Sequence, residues 1–292
     1  MEIILKTTNL TKQFGKKMAV NNVNMTIEKG DIYGFIGKNG AGKTTFMRLV
    51  LGTAFSTKGS ITLFNGMPLE KARHRIGSLI EDPGLYKNCT AYENLKRFSL
   101  IYGGTEKEIQ EILQLIGLDN TGKKKAGKFS LGMKQRLGIG IALLGNPEFL
   151  ILDEPVNGLD PAGIKEVRDL ILRLNHEKKV TILISSHLLD ELSKVVTKYG
   201  IINDGNLVEE VSASDLIERC KQKLTFTVND IEKAVSVPSS DIQAEDGQII
   251  LSSHLDDAAS LNKLLVQQDI EVSGIQVQTD GLEQYFMKRI GE

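Results

Sequence analysis

The run Gly37-Lys38-Asn39-Gly40-Ala41-Gly42-Lys43-Thr44-Thr45 fits the pattern G-x-x-x-x-G-K-[ST]. Glycines at this spacing let the backbone curl so that successive N–H groups face one anion. A helix that starts at the end of the loop adds the partial positive charge of its N-terminus. The chemistry is phosphate binding. Gly37, Asn39, Gly40, Ala41 and Gly42 supply the cradle, and Lys43 reaches the β- and γ-phosphates. The Thr44 hydroxyl holds Mg²⁺, and Thr45 adds a hydrogen bond to the α-phosphate. A second run, Phe149-Leu150-Ile151-Leu152-Asp153-Glu154-Pro155, is apolar and ends in two carboxylates. Asp153 suits Mg²⁺ through water, and Glu154 is placed to orient a water that attacks a γ-phosphate. Taken singly, the first run could be a glycine-rich turn and the second a strand before an acidic turn. Together they describe the handling of a nucleoside triphosphate.

These two motifs indicate a P-loop NTPase, and a third narrows the class. Phe129-Ser130-Leu131-Gly132-Met133-Lys134-Gln135-Arg136 resembles the signature of the ABC ATPases, usually written L-S-G-G-Q. Ser130 and Gly132 match, while Leu131 and Met133 depart from it. Ser130 also reads as the N-cap of an amphipathic helix, and the two readings are compatible, because a capped helix N-terminus suits a γ-phosphate. Asn157-Gly158-Leu159-Asp160 resembles the D-loop, and Ser185-Ser186-His187 the H-loop, in which His187 contacts the γ-phosphate. Phe14 is similar to the A-loop aromatic that stacks on adenine, although an isolated phenylalanine also suits a core. Glu81 stands where the Q-loop usually has glutamine, which would bring a third carboxylate to the metal.

The resemblance spans about residues 3 to 215. The run Ile80-Glu81-Asp82-Pro83-Gly84-Leu85-Tyr86 and the ending Gly281-Leu282-Glu283-Gln284-Tyr285-Phe286 resemble the bacitracin and lantibiotic export and immunity branch. The resemblance implies an ATP- and Mg²⁺-dependent ATPase working as a homodimer or heterodimer. In it, Ser130 of one subunit closes the site of the other, and Gly132 and Asp160 also bind nucleotide. It further implies a cytoplasmic protein, peripheral on the inner face of the cell membrane. There it would drive export of an antimicrobial peptide or similar compound through a separate permease.

The elements that must position these residues follow from hydrophobic periodicity. Short apolar runs at 31–36, 76–80, 149–152 and 180–184 read as buried strands, and 59–66 as a strand ending in a turn. Helical spacing follows at 44–51, through 91–144 and at 161–174, with Ile109, Ile112, Leu113 and Ile116 as a clear stripe. This alternation predicts an α/β domain over 1–215 with parallel strand pairing, and the resemblance implies a P-loop NTPase of ABC ATPase type, a mixed sheet with a helical subdomain. After a linker near 212–220 the pattern becomes β-β-α-β-α, with strands at 224–228, 248–252 and 270–278 and helices at 256–267 and 281–289. Residues 216–292 are therefore expected to form a small accessory α+β domain.

Composition removes several rivals. The 292 residues are 41% hydrophobic and 25% charged, ordinary for a globular chain. Lys plus Arg is 36 against 37 for Asp plus Glu, so no global basic field favours nucleic acid as a partner. Two cysteines form neither a disulfide framework nor a ligand cluster. His74, His176 and His254 lack ligand-spaced partners, and Asp256-Asp257 reads as a helix start. No signal peptide and no spanning apolar run is expected. The competing function is a soluble ABC-type ATPase acting on nucleic acid or ribosomes. Its chromosomal members need long heptad insertions and its translational members two cassettes, and neither is seen. A GTPase switch would need an N-K-x-D guanine motif, which is not recognisable here.

Overall fold

A computed structural model describes residues 2–187, 193–220, 222–235, 242–245, 248–251, 258–279 and 282–290. His254, Asp256 and Asp257 lie outside these. The chain divides into two compact units, Met1–Ala213 and Ser214–Glu292.

The first unit holds two sheets. Strands β1 (Ile3–Phe14), β2 (Lys17–Val23), β3 (Thr26–Glu28) and β5 (Lys58–Leu63) pair antiparallel around β1. The second sheet contains β4 (Ile32–Ile36), β6 (Ile76–Leu79), β7 (Phe149–Leu152), β8 (Thr181–Ser186), β9 (Lys198–Asn203) and β10 (Asn206–Ser212). Its order is β10-β9-β4-β8-β7-β6. Strands β9, β4, β8, β7 and β6 run parallel, and β10 returns antiparallel. The sheet is thus mixed, as the resemblance implies, with parallel pairing from β9 to β6. The 59–66 run belongs to the antiparallel sheet, because β5 pairs with β1.

Every residue of β4, β7 and β8 is buried. Parallel strands covered on both faces read as unbroken apolar runs, which is why these were visible in the sequence. Phe35 and Phe46 stack in the core with ring centroids 5.1 Å apart. The register pairs Ile36 with Ser186, Leu152 with Ile184, and Leu79 with Leu152. The loops that follow β4, β6, β7 and β8 therefore open at one edge, outside the carboxyl ends of the strands.

The long helical stretch resolves into α3 (Ala91–Tyr102), α4 (Glu106–Leu115) and α5 (Leu131–Ala142). Thr90 with Glu93, and Thr105 with Glu108, form reciprocal capping boxes. Each box satisfies two otherwise orphaned backbone donors, so helix starts are fixed within the polar run. Gly103 ends α3 with a φ of 79°. The stripe Ile109, Ile112, Leu113 and Ile116 is buried, as its spacing requires.

In the second unit the strands Gln222–Val228, Ile242–Glu245, Gln248–Leu251 and Val272–Thr279 form one antiparallel sheet. Numbered from one to four in chain order, they lie as 2-3-1-4. Helices Ile231–Val235 and Ala258–Gln267 intervene, which gives the ferredoxin-like β-α-β-β-α-β arrangement followed by helix Leu282–Ile290. The short helix Ile231–Val235 and the strand Ile242–Glu245 are not among the elements expected from the sequence pattern. Phe226, Ile249 and Leu265 are fully buried in this unit's own core. Residues expected as linker contain the helix Ala213–Arg219. Among the described residues no helix is long and apolar enough to cross a membrane.

Candidate functional site

The loop between β4 and α1 (Lys43–Leu51) curls through Gly40 and Gly42, with φ of 83° and 111°. Only glycine enters this region without strain. At Gly42 an added Cβ would also run into the backbone carbonyl of Ala19. Gly37 is crowded in the same way, by the carbonyl of Ile202 on β9. Ala41 is buried, and its carbonyl accepts from the Gly205 N–H (2.9 Å).

We expect Gly42→Ala to weaken nucleotide binding more than tenfold, because backbone strain of about 1–3 kcal/mol and the Ala19 contact both act on the cradle. Gly40→Ala meets open space and should have the smaller effect. Calorimetric titration of both variants checks the order.

The buried Lys43 ammonium donates to the Lys38 carbonyl (3.2 Å) and the Gly37 carbonyl, and lies 3.1 Å from Glu154 Oε1. The other Glu154 oxygen, Oε2, is 2.7 Å from His187 Nδ1. Glu154 itself has a φ of 49°, a left-handed conformation held by its N–H donating to Ser185 Oγ (2.8 Å). Such backbone strain in a non-glycine residue persists where surrounding bonds impose it. Thr44 Oγ1 donates to Asp153 Oδ2 (2.6 Å), and Ser185 Oγ donates to Asp153 Oδ1 (2.6 Å). A buried carboxylate answered by two hydroxyls, one of them the loop threonine, is a set of hard oxygen donors that fits Mg²⁺.

A hollow of about 310 Å³ is lined by Phe14, Asn39, Gly40, Gly42, Thr45 and Glu154, together with Lys43 and Thr44. Phe14 is 55% exposed and so is not a core residue; Lys12 Nζ lies 4.8 Å from its ring centroid. Lys17, Ala19 and Lys38 also line this hollow and carry no sequence signal as strong as the glycine loop. Lys17 faces Phe14 across the β1–β2 turn. The Phe14-Gly15-Lys16-Lys17 turn signal could have revealed it. Nothing local marks Ser185 as the residue joining Asp153 to the Glu154 backbone.

Other expected residues lie elsewhere. Ser130 caps α5, its side chain accepting from the Met133 N–H (3.2 Å), and Asp160 caps α6 (Pro161–His176) by accepting from the Gly163 N–H (3.1 Å). Neither they nor Gly132 line the hollow around Lys43. Glu81, with a φ of 60°, faces Arg48 (2.7 Å). It lines a separate hollow of about 670 Å³ with Tyr86, Phe98 and Tyr102. Among the described residues no three of His, Cys, Asp and Glu assemble around a metal position.

A phosphate cradle at the head of α1, with the Asp153 and Glu154 carboxylates just past the end of β7, parallel to β4 and one strand removed from it, defines a P-loop nucleotide hydrolase. Residues 20–157 match the ABC transporter family. The bacitracin transport ATP-binding protein BcrA of Bacillus licheniformis is 46% identical over 100% of this chain and 98% of its own. The chain therefore belongs to the ATP-binding subunits of ABC transporters, and it hydrolyses ATP in a reaction coupled to transport. The lantibiotic transport ATP-binding protein SrtF of Streptococcus pyogenes is 47% identical over 71% of this chain and 90% of its own. Among solved structures, a dimeric ATP-binding cassette in a post-hydrolysis state, bound to ADP and Pi, superposes with a TM-score of 0.63. It is 25% identical and covers 72% of this chain and 99% of its own.

Proposed function

We propose that this chain uses ATP and Mg²⁺ to drive export of an antimicrobial peptide, or a similar compound, through a separate integral-membrane permease. The observation that carries the reading is the meeting of Lys43, Glu154 and His187 beside the Thr44–Asp153 pair. The bacitracin and lantibiotic transport named for the two relatives supports the cargo class.

An incoming triphosphate competes with Glu154 for the Lys43 ammonium. Its β- and γ-oxygens take Lys43, and the loop N–H groups from Asn39 to Thr45 hold the rest of the anion. Released from Lys43, the Glu154 carboxylate can take a proton from an attacking water, while His187 keeps its other oxygen oriented. Thr44 and Asp153 would hold Mg²⁺, which when bound neutralises charge on the β- and γ-phosphate oxygens. Phe14 would stack on adenine. Glu81 could reach the metal only if its ion pair with Arg48 opens.

Ser130, Gly132 and Asp160 would complete the site of a facing subunit. The working unit is then a dimer, of two copies or of this chain with a second ATPase subunit. It would sit on the cytoplasmic face of the membrane, with residues 1–215 as nucleotide-binding domain and 216–292 as accessory domain.

To test this, full-length Glu154→Gln protein loaded with ATP is incubated with solubilised membranes and recovered. A multi-helix permease should co-purify. Cells carrying that permease with the wild-type chain should tolerate more of a peptide antibiotic than cells carrying it with the variant. Recovery of ribosomes or DNA, or equal tolerance in the two strains, would refute the proposal.

A further inference from the structure

Arg136 lies in α5, the helix that Ser130 caps. Its side chain is only 12% exposed, and its contacts reach two other helices. Nη1 donates to the carbonyls of Ile116 (2.6 Å) and Gly117 (3.3 Å), where α4 ends. Those carbonyls carry the negative end of the helix dipole and otherwise lack intrahelical donors. Nη2 lies 3.3 Å from Glu166 Oε2, on α6. Nε is buried without a partner, so the guanidinium is held here against a desolvation cost. Gly117 makes room for it, since a Cβ at that position, where φ is 64°, would come within 2.9 Å of Nη1.

Closer to the Ser130 turn, α5 and α6 meet again. A Cβ on Gly132 would lie 3.6 Å from the Gly163 backbone, and one on Gly158 would lie 3.4 Å from the Leu131 side chain. Leu131, a departure from the family signature, therefore lies beside Gly158 of the 157–160 loop, partly exposed. The Arg136–Glu166 pair, more than a turn further along, adds a polar contact between α5 and α6 to this close approach.

The geometry points to Arg136 as a positioning residue that locks the Ser130 turn to the 157–160 loop, so that both meet the facing subunit together. This rests on the composite dimer proposed above. Lysine cannot replace it fully, because a single ammonium lacks the planar fork that serves two carbonyls and a carboxylate at once.

The test uses full-length protein in the Glu154→Gln background, with Arg136→Gln, Arg136→Lys and Glu166→Gln added in turn. Affinity of the monomer for a fluorescent ATP analogue should stay within about twofold, whereas ATP-driven dimerisation, followed by sedimentation, should weaken about tenfold for Arg136→Gln as its charge-assisted bonds are lost. Glu166→Gln, which leaves the carbonyl contacts intact, should cost about threefold, and Arg136→Lys should fall between. With Glu154 restored, kcat should fall in the same order while KM holds. Unchanged dimerisation and kcat in both Arg136 variants would overturn the assignment. So would a parallel loss of nucleotide affinity in all three, which would make Arg136 a support of the whole fold. If the parent Glu154→Gln protein fails to dimerise with ATP, the composite dimer itself falls and this role with it. A dimerising parent with unaffected variants strikes Arg136 alone.

Discussion

Glu154→Gln should bind ATP at least as tightly as the wild type and hydrolyse it at least about a hundredfold more slowly, the range expected when a positioned general base is removed. The carboxamide keeps the shape of the side chain. Its carbonyl oxygen can still accept from His187 Nδ1–H, and the backbone N–H keeps its bond to Ser185 Oγ. What disappears is the capacity to take a proton from water. The negative charge 3.1 Å from the Lys43 ammonium disappears too, so Lys43 meets the phosphates without first giving up an ion pair. Binding therefore holds or improves while turnover collapses. The uncleaved nucleotide should trap the dimer in gel filtration. Single-turnover phosphate release is the decisive measurement, and a rate within a few-fold of wild type would remove Glu154 from the chemistry.

Mixing inactive Lys43→Ala protein with inactive Ser130→Arg protein should restore ATPase activity, to at most about a quarter of wild type if subunits pair at random in a two-fold dimer. The reason lies in where the two residues sit. Lys43 lines the hollow beside the phosphate loop, whereas Ser130 caps a helix that does not line the hollow of its own chain. In the heterodimer one site combines an intact Lys43 with the partner's intact serine turn. The other site combines both lesions. Half of the dimers are then heterodimers, each with one working site of two. If Ser130 acted within its own chain, no mixture could recover, and if it took no part, Ser130→Arg would be active alone. Steady-state rates across mixing ratios separate these cases.

Chemistry that resides in a few consecutive residues is legible in the amino-acid sequence alone. The Gly37–Thr45 loop announces itself because its backbone conformation needs glycine at Gly40 and Gly42. The strand before Asp153 shows because a strand buried on both faces has no polar positions. Ser130 announces a helix start because a short polar side chain satisfies a backbone donor three residues on. The antiparallel sheet around β1 does not show. Its register slips at Leu10, Lys12 and Thr8, and Asn9 turns to a φ of 48°, so strict alternation is lost along the strand.

Partnership across the chain is settled only in three dimensions. Thr44 and Asp153 are 109 residues apart, and they meet because β4, β8 and β7 lie side by side in one parallel register. The same register brings Ser185 under Asp153 and His187 against Glu154. Glu81, by sequence a third carboxylate for the metal, has a left-handed backbone and pairs with Arg48 on α1, a partner that no local pattern marks. Arg136, by sequence only the last residue of the run that resembles the signature, becomes the joint of three helices once Gly117 lets the end of α4 approach it. A motif records what its own backbone must do. Which side chain answers another depends on strand register and helix packing, and those are properties of the whole domain.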